Sequence, residues 1–288
     1  MTHNDQASQL RQNVHRHHAK IAKTIAVVSG KGGVGKSNFT LNFALTLAEK
    51  EKSVLIVDLD IGMGNVDILL GVQSNYSIVD MYENHLSIHD IIEVGPNSLS
   101  YIAAGSGLSN VFHMDQNKFN YFLEQFEALT YEYDYIFFDM GAGATDDSLS
   151  YILAADECIV VTTPEPTSMM DAYAMIKHIY QRNMELPFYV LINRAESNKD
   201  GKAILSRLQK VTERFLSTSL RPLGIIPYDK VVSKAVIQQV PFTQFDSSSK
   251  ASKSIQLLTD QYLSGEINID HKSPSSFISR LKSFIKER

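Results

Sequence analysis

The stretch Gly30-Lys31-Gly32-Gly33-Val34-Gly35-Lys36-Ser37 constrains this chain more than any other. It fits G-x-x-x-x-G-K-[ST]. It follows the apolar run Thr24-Ile25-Ala26-Val27-Val28 and opens a segment of helical periodicity over 36–50. A strand feeding such a loop into a helix lets backbone N–H groups wrap a phosphate chain at the helix N-terminus, where the helix dipole also favours anions. In that setting Lys36 reaches the β- and γ-phosphates, and the Ser37 hydroxyl ligates Mg²⁺.

A loop of this kind needs a parallel sheet behind it, and the rest of the chain supplies the pattern. Further apolar runs occur at Val54-Leu55-Ile56-Val57-Asp58, Leu99 to Ala103, Tyr135-Ile136-Phe137-Phe138-Asp139, Ile159 to Thr162, Phe188 to Ile192 and Leu223 to Ile226. Several are apolar on both faces, as strands buried inside a parallel sheet must be. Helical periodicity lies between them over 116–131, 167–182 and 202–217. The alternation predicts an α/β fold, a doubly wound, mostly parallel sheet with helices on both faces.

Four charged positions add chemistry to the loop. A phosphate loop needs no lysine at position 31, and a second ammonium would crowd Lys36. Lys31 is either a solvated surface lysine or a cation directed at a nucleotide on a second subunit, in the manner of an arginine finger. Asp58-Leu59-Asp60 ends one strand, where ligand residues of open α/β sheets belong. Asp60 is placed to orient or deprotonate an attacking water, with Asp58 behind it. Asp139 ends another strand and enters Met140-Gly141-Ala142-Gly143; a carboxylate there holds Mg²⁺ through water.

The chain of 288 residues has a net charge of −5 and 44% hydrophobic residues, enough for one large core and against broad nucleic-acid binding. Its single cysteine, Cys158, lies in an apolar run, so a disulfide or cysteine-rich cluster within one chain is excluded. No stretch reaches the length of about 20 apolar residues that spans a bilayer. The expectation is a cytoplasmic protein.

Both ends differ from the middle. Residues 246–253 are Ser/Lys-rich, with a helix expected to follow through Leu263. Residues 265–275 read as a linker. Beyond it Phe277, Ile278, Leu281, Phe284 and Ile285 form one apolar helical stripe, with Arg280, Lys282, Lys286 and Arg288 off it. A basic amphipathic helix suits an anionic membrane surface; packing on the domain's own core is the alternative. At the other end Ala7, Leu10 and Val14 share a helical face within a polar, His-rich segment.

Lys31 to Ser37, Asp58 to Gly62 and Asp139 to Gly143 together resemble the deviant Walker A ATPases of the MinD/ParA class, over about residues 24–263. The resemblance implies slow ATP hydrolysis to ADP and phosphate, stimulated by dimerisation or by partners. It implies that Lys31 acts across an ATP-sandwich homodimer, that Asp60 serves hydrolysis beside the metal, and that Asp139 supports Mg²⁺. It places adenine between Asn193 and the turn Ile226-Pro227-Tyr228-Asp229, with Asn193, Pro227 and Asp229 as contacts. An Asn side chain pairs with the adenine edge, and the guanine signature N-K-x-D is missing at Asn193-Arg194-Ala195-Glu196.

The segment Asp5-Gln6-Ala7-Ser8-Gln9-Leu10-Arg11 is similar to the D-Q-A-x-x-L-R segment of the flagellar-number branch of that class. There the resemblance implies docking on the signal-recognition-type GTPase FlhF and stimulation of its GTPase, with Gln6 suited to orienting water. The implied division is a partner-activating segment at 1–23, an ATPase domain at 24–264, a linker at 265–275 and a membrane helix at 276–288. Implied partners are a second copy, FlhF, flagellar switch-complex proteins and the inner face of the cell membrane. A division-site regulator of the MinD kind shares this core and tail. A DNA-partition ATPase would need a basic surface instead.

Overall fold

The computed structural model describes residues 21–105, 116–143, 146–265 and 276–286. Among these residues eight strands form one sheet: β1 (Lys23–Val28), β2 (Val54–Asp58), β3 (Glu93–Val94), β4 (Ser100–Ile102), β5 (Tyr135–Asp139), β6 (Glu157–Thr162), β7 (Phe188–Ala195) and β8 (Arg221–Pro227). Their order is β3-β4-β2-β5-β1-β6-β7-β8. All neighbours are parallel except β3, which pairs antiparallel with β4. The chain order reverses about β1, between β5 and β6, so the loop after β1 lies at a topological switch point. β2 and β5 pair in a register that sets Asp58 beside Asp139.

Helices α1 (Lys36–Glu49), α2 (Val66–Leu70), α3 (Ile78–Glu83), α4 (Gln116–Leu129), α5 (Asp146–Ala154), α6 (Pro166–Tyr180), α7 (Asn198–Leu216), α8 (Lys230–Ile237), α9 (Phe242–Phe245), α10 (Lys250–Leu263) and α11 (Phe277–Lys286) surround it. The strands are apolar on both faces because each face carries its own core. On one side Phe39, Phe43 and Leu45 of α1 meet Phe137 and Tyr262, with Phe43 edge-on to both rings. On the other, Phe122 and Phe126 of α4 join Phe138, Ile152, Ile176 and Leu205.

The long periodic segments become helices within a few residues of the expected limits. Shorter elements are not legible in advance: β3 has two residues, and α5 follows a glycine loop. The Ser/Lys-rich stretch at 246–253 runs into the expected helix. Ser249 caps α10 by accepting a hydrogen bond from the Ser252 N–H, so its lysines form the helix's first turn. The fold also begins slightly before Thr24, since Ala22 is buried and Lys23 opens β1.

The tail helix α11 lies against α5 and the second core. Phe277, Ile278 and Leu281 are buried, and the Phe277 ring stacks on Phe138 with centroids 5.0 Å apart. The Arg280 Nε donates to the Ala154 carbonyl at 2.8 Å, and its Nη2 pairs with Asp156 at 2.6 Å. Asp156 also accepts from the Thr24 N–H and hydroxyl, which ties the helix to the start of β1. Where periodicity leaves the stripe's cover open between lipid and protein, this structure covers it with protein. Lys282 points to solvent, and Phe284 is half-buried. The expected linker, beyond Gly265, falls outside the described residues, as does the side chain of Ile285. No described helix is long and apolar enough to cross a membrane.

Candidate nucleotide site

The loop of residues 30–37 joins β1 to α1 at the switch point. Gly35 precedes α1 in the left-handed region, with φ of 91°, which any side chain would resist. No side chain caps α1 and its first turn holds no acid, so its first N–H groups are available to an anion. The loop is also tightly walled. A Cβ on Gly30 would stand 2.2 Å from the Asp171 backbone in α6.

Lys36 is buried, and its Nζ lies 2.8 Å from Asp139 Oδ1. That oxygen also receives the Thr40 hydroxyl at 3.3 Å. The other oxygen of Asp139 is buried and has no hydrogen-bond partner among the described residues. A buried carboxylate oxygen without a donor is costly. It fits a magnesium-bound water, and Ser37, one residue past Lys36, would be the residue to ligate such an ion directly. Asp60 stands close by, since a Cβ on Gly141 would be 3.0 Å from Asp60 Oδ1. Its pKa is raised, chiefly by burial, with Lys36 opposing and Asp139 adding to the shift.

Asp58 is a brace for the Asp60 loop. Its Oδ1 accepts from the Asp60 N–H at 3.0 Å, and its Oδ2 accepts from the N–H groups of Asn65 and Val66 at 2.9 and 3.3 Å. One buried carboxylate thus pins both ends of the segment that carries Asp60. Burial first, then the neighbouring Asp139 charge, pushes its pKa up to about 7, against the three backbone hydrogen bonds. A carboxyl whose folded-state pKa lies above the unfolded value of 3.8 binds its proton more tightly when folded. Its contribution to stability is complete below the unfolded value and is lost as pH rises through the folded one. Asp58→Asn should therefore flatten the fall in stability between about pH 4 and 7, read by chemical denaturation. Parallel wild-type and variant curves would show that this proton is not on Asp58.

Lys31 does not share the interior of the loop with Lys36. It is exposed, and its Nζ lies 3.2 Å from the exposed Glu165 carboxylate at the start of α6. An exposed pair of this kind contributes at most about 1 kcal/mol, so it opens readily. Nothing in the spacing pointed to Glu165; the signal was only that Pro166 marks a helix start after β6.

On the other side of Gly35 a cleft of about 340 Å³ opens between α1 and α8. Asn38, Phe39, Asn193, Pro227, Asp229 and Phe242 are among its lining residues. Asn193 Nδ2 donates to the Val34 carbonyl at 2.8 Å, and its Oδ1 accepts from the Arg194 N–H at 3.0 Å. An amide retains one further N–H and one lone pair after these bonds. Asp229 lines the cleft but commits its oxygens to the N–H groups of Val231 and Ala251, capping α8 and anchoring α10. Asn38 and Phe242 were not anticipated, because nothing local in the sequence relates residue 38 to residue 242. Asp5, Gln6, Ala7, Leu10 and Arg11 lie outside the described residues.

Known proteins resemble this chain in sequence and in fold. The family model described as ParA, NUBPL iron-transfer P-loop NTPase, matches residues 20–263. The antiactivator FleN of Pseudomonas aeruginosa is 36% identical, over 83% of this chain and 85% of its own. The flagellum site-determining protein YlxH of Helicobacter pylori is 32% identical, over 91% and 90%. Among solved structures, the MinC:MinD cell division complex of Aquifex aeolicus contains a chain with a TM-score of 0.68 and 25% identity, matched over 87% of this chain and 99% of that one. MinD of Pyrococcus horikoshii, solved with Mg-ADP, has a TM-score of 0.66 at 22% identity over 86% and 100%, a likeness of fold.

Proposed function

The chain belongs to the ParA/MinD family of P-loop NTPases, whose members are ATPases, and we propose that it is an ATP-driven dimer switch that sets flagellar number or placement from the membrane surface. ATP binds with its phosphates on the loop at 30–37 and its adenine in the cleft beside Asn193. The amide's remaining N–H and lone pair suit the adenine edge. Ser37 and, through water, Asp139 would hold Mg²⁺ beside Asp60, and the ion would supply neutralisation of the phosphate charge. Lys36 moves from Asp139 to those phosphates. Lys31 leaves Glu165 for the nucleotide of a second copy. Asp60 orients the water whose oxygen attacks the γ-phosphorus, accepts its proton, and ADP departs.

The observation that carries the switch is the position of α11. Its Phe277 stacks on Phe138, the residue before Asp139, and the helix packs on α5, which follows the Asp139 loop. A change at the γ-phosphate therefore acts on the same strand end and helix that cover the tail's apolar stripe. Release of two basic amphipathic helices from one dimer supports bivalent attachment to an anionic membrane, where a single short helix is marginal. The relatives named for antiactivation and for flagellum site determination support the flagellar role. A relative named septum site-determining protein MinD, from Helicobacter pylori and 31% identical, supports a division-site role as the second reading. The segment Asp5 to Arg11 favours the first, with FlhF and switch-complex proteins as partners.

Asp60→Ala should trap the ATP complex. It should elute as a dimer and sediment with anionic vesicles in ATP, and remain a soluble monomer in ADP. Monomers under both nucleotides would overturn the switch. The full chain should also accelerate GTP hydrolysis by FlhF, which a division-site protein would not do.

A further inference from the structure

The cleft beside Gly35 has two walls that are remote in sequence. One is α1, which carries Lys36 and Ser37 and supplies Asn38 and Phe39. The other is the run from α8 to α9, including Val232, Val236 and Phe242. Among the described residues, the Asn42 side chain hydrogen-bonds across them. Asn42, on α1, is only 1% exposed. Its Nδ2 donates to the Asn38 carbonyl at 2.8 Å and to the Asn38 Oδ1 at 3.1 Å. Its Oδ1 accepts from the Thr243 N–H at 3.0 Å and from the Thr243 hydroxyl at 2.9 Å.

These four bonds use the amide's whole capacity of two donor hydrogens and two lone pairs. Asparagine is a poor residue for a helix interior. Its neighbours Leu41, Phe43 and Ala44 are fully buried, so an apolar residue would suit the site if packing were all it served. The bonds it makes are directional. They set the distance between α1 and the start of α9, and they fix the rotamer of Asn38 at the cleft wall. Thr243 directly follows Phe242, so the same bonds seat that ring.

We propose that Asn42 is a positioning residue for the base: it holds the α8–α9 wall at a purine's width from α1, without bearing on the phosphate loop. The proposal rests on the nucleotide reading of the site. It separates two halves of nucleotide affinity that sit on the same helix. Loosening the brace should widen the base cleft, while the loop glycines, walled by α6 and Asn193, keep their shape.

The test is isothermal titration of the full chain with two probes, ADP and inorganic tripolyphosphate. Asn42→Ala should weaken ADP roughly tenfold, the scale of one or two lost hydrogen bonds, and leave tripolyphosphate within about twofold. Thr243→Val, which keeps the backbone donor and loses the hydroxyl, should shift ADP in the same direction by less. It covers the case in which Asn42→Ala does not fold. Thr243→Ser restores the hydroxyl and should restore ADP affinity. Equal weakening of both probes, or none in either of the first two variants, would overturn the positioning role. Wild-type chain that binds tripolyphosphate but not ADP would overturn the adenine reading itself, and the brace with it.

Discussion

Lys31→Ala should abolish ATP-dependent dimerisation and lower phosphate release roughly 10³-fold, the lower end of the range for a cation supplied across an interface. ADP affinity of the monomer should stay within about twofold, since the loop's inner contacts are unchanged. The two lysines of the loop sit in different surroundings. Lys36 is buried beside Asp139, inside the site. Lys31 stands at the rim, opposite an exposed carboxylate that holds it weakly. A rim cation does little for a nucleotide on its own loop and much for one brought against it. The measurement is twofold: sizing in ATP and steady-state phosphate release. Loss of ADP binding in parallel would assign Lys31 to its own loop; unchanged turnover and dimerisation would return it to the surface.

Asp156→Asn should raise vesicle binding in the ADP state roughly tenfold, as expected for about 1–2 kcal/mol of lost charge-assisted hydrogen bonding at a partly buried site. Arg280 is held at two points, the Ala154 carbonyl and Asp156. The substitution removes the charge and keeps an oxygen for Thr24. The apolar contacts of Phe277 and Leu281 remain, so docking weakens without being lost. A chain ending before residue 276 should bind no vesicles in any nucleotide. If that truncated chain still sediments with anionic vesicles, lipid contacts lie elsewhere. If Asp156→Asn leaves the ADP state in the supernatant, the Arg280 pair is not what restrains the helix.

The two predictions differ in how far ahead of the structure they were visible. Lys31 stands out from spacing alone, because a phosphate loop has a strict pattern and an extra charge is conspicuous within it. Glu165 does not, because it is remote in sequence and lies beside Lys31 only through the β1–β6 pairing. Asp58 and Asp139 were both legible as strand-end acids. Their side-by-side register required the pairing of β2 with β5, and the raised pKa of Asp58 came first from its burial and then from that neighbour. Asp229 reads as a base contact, whereas its carboxylate is engaged with backbone N–H groups that belong to helices α8 and α10.

The chain by itself determined whatever depends on spacing along it. That includes the phosphate loop between strand and helix, the seven apolar runs that became β1, β2 and β4–β8, and the amphipathic stripe of α11. Backbone geometry imposes those periods locally, so they can be read without knowing the neighbours. Tertiary structure alone decided what each exposed charge or apolar stripe meets. It placed Thr243 against Asn42, Glu165 against Lys31, and Phe138 beneath Phe277. Hydrophobic burial is non-directional, so a stripe states that it will be covered and not by what. For α11 the cover is α5 together with Phe126 and Phe138, and Phe138 lies one residue before Asp139.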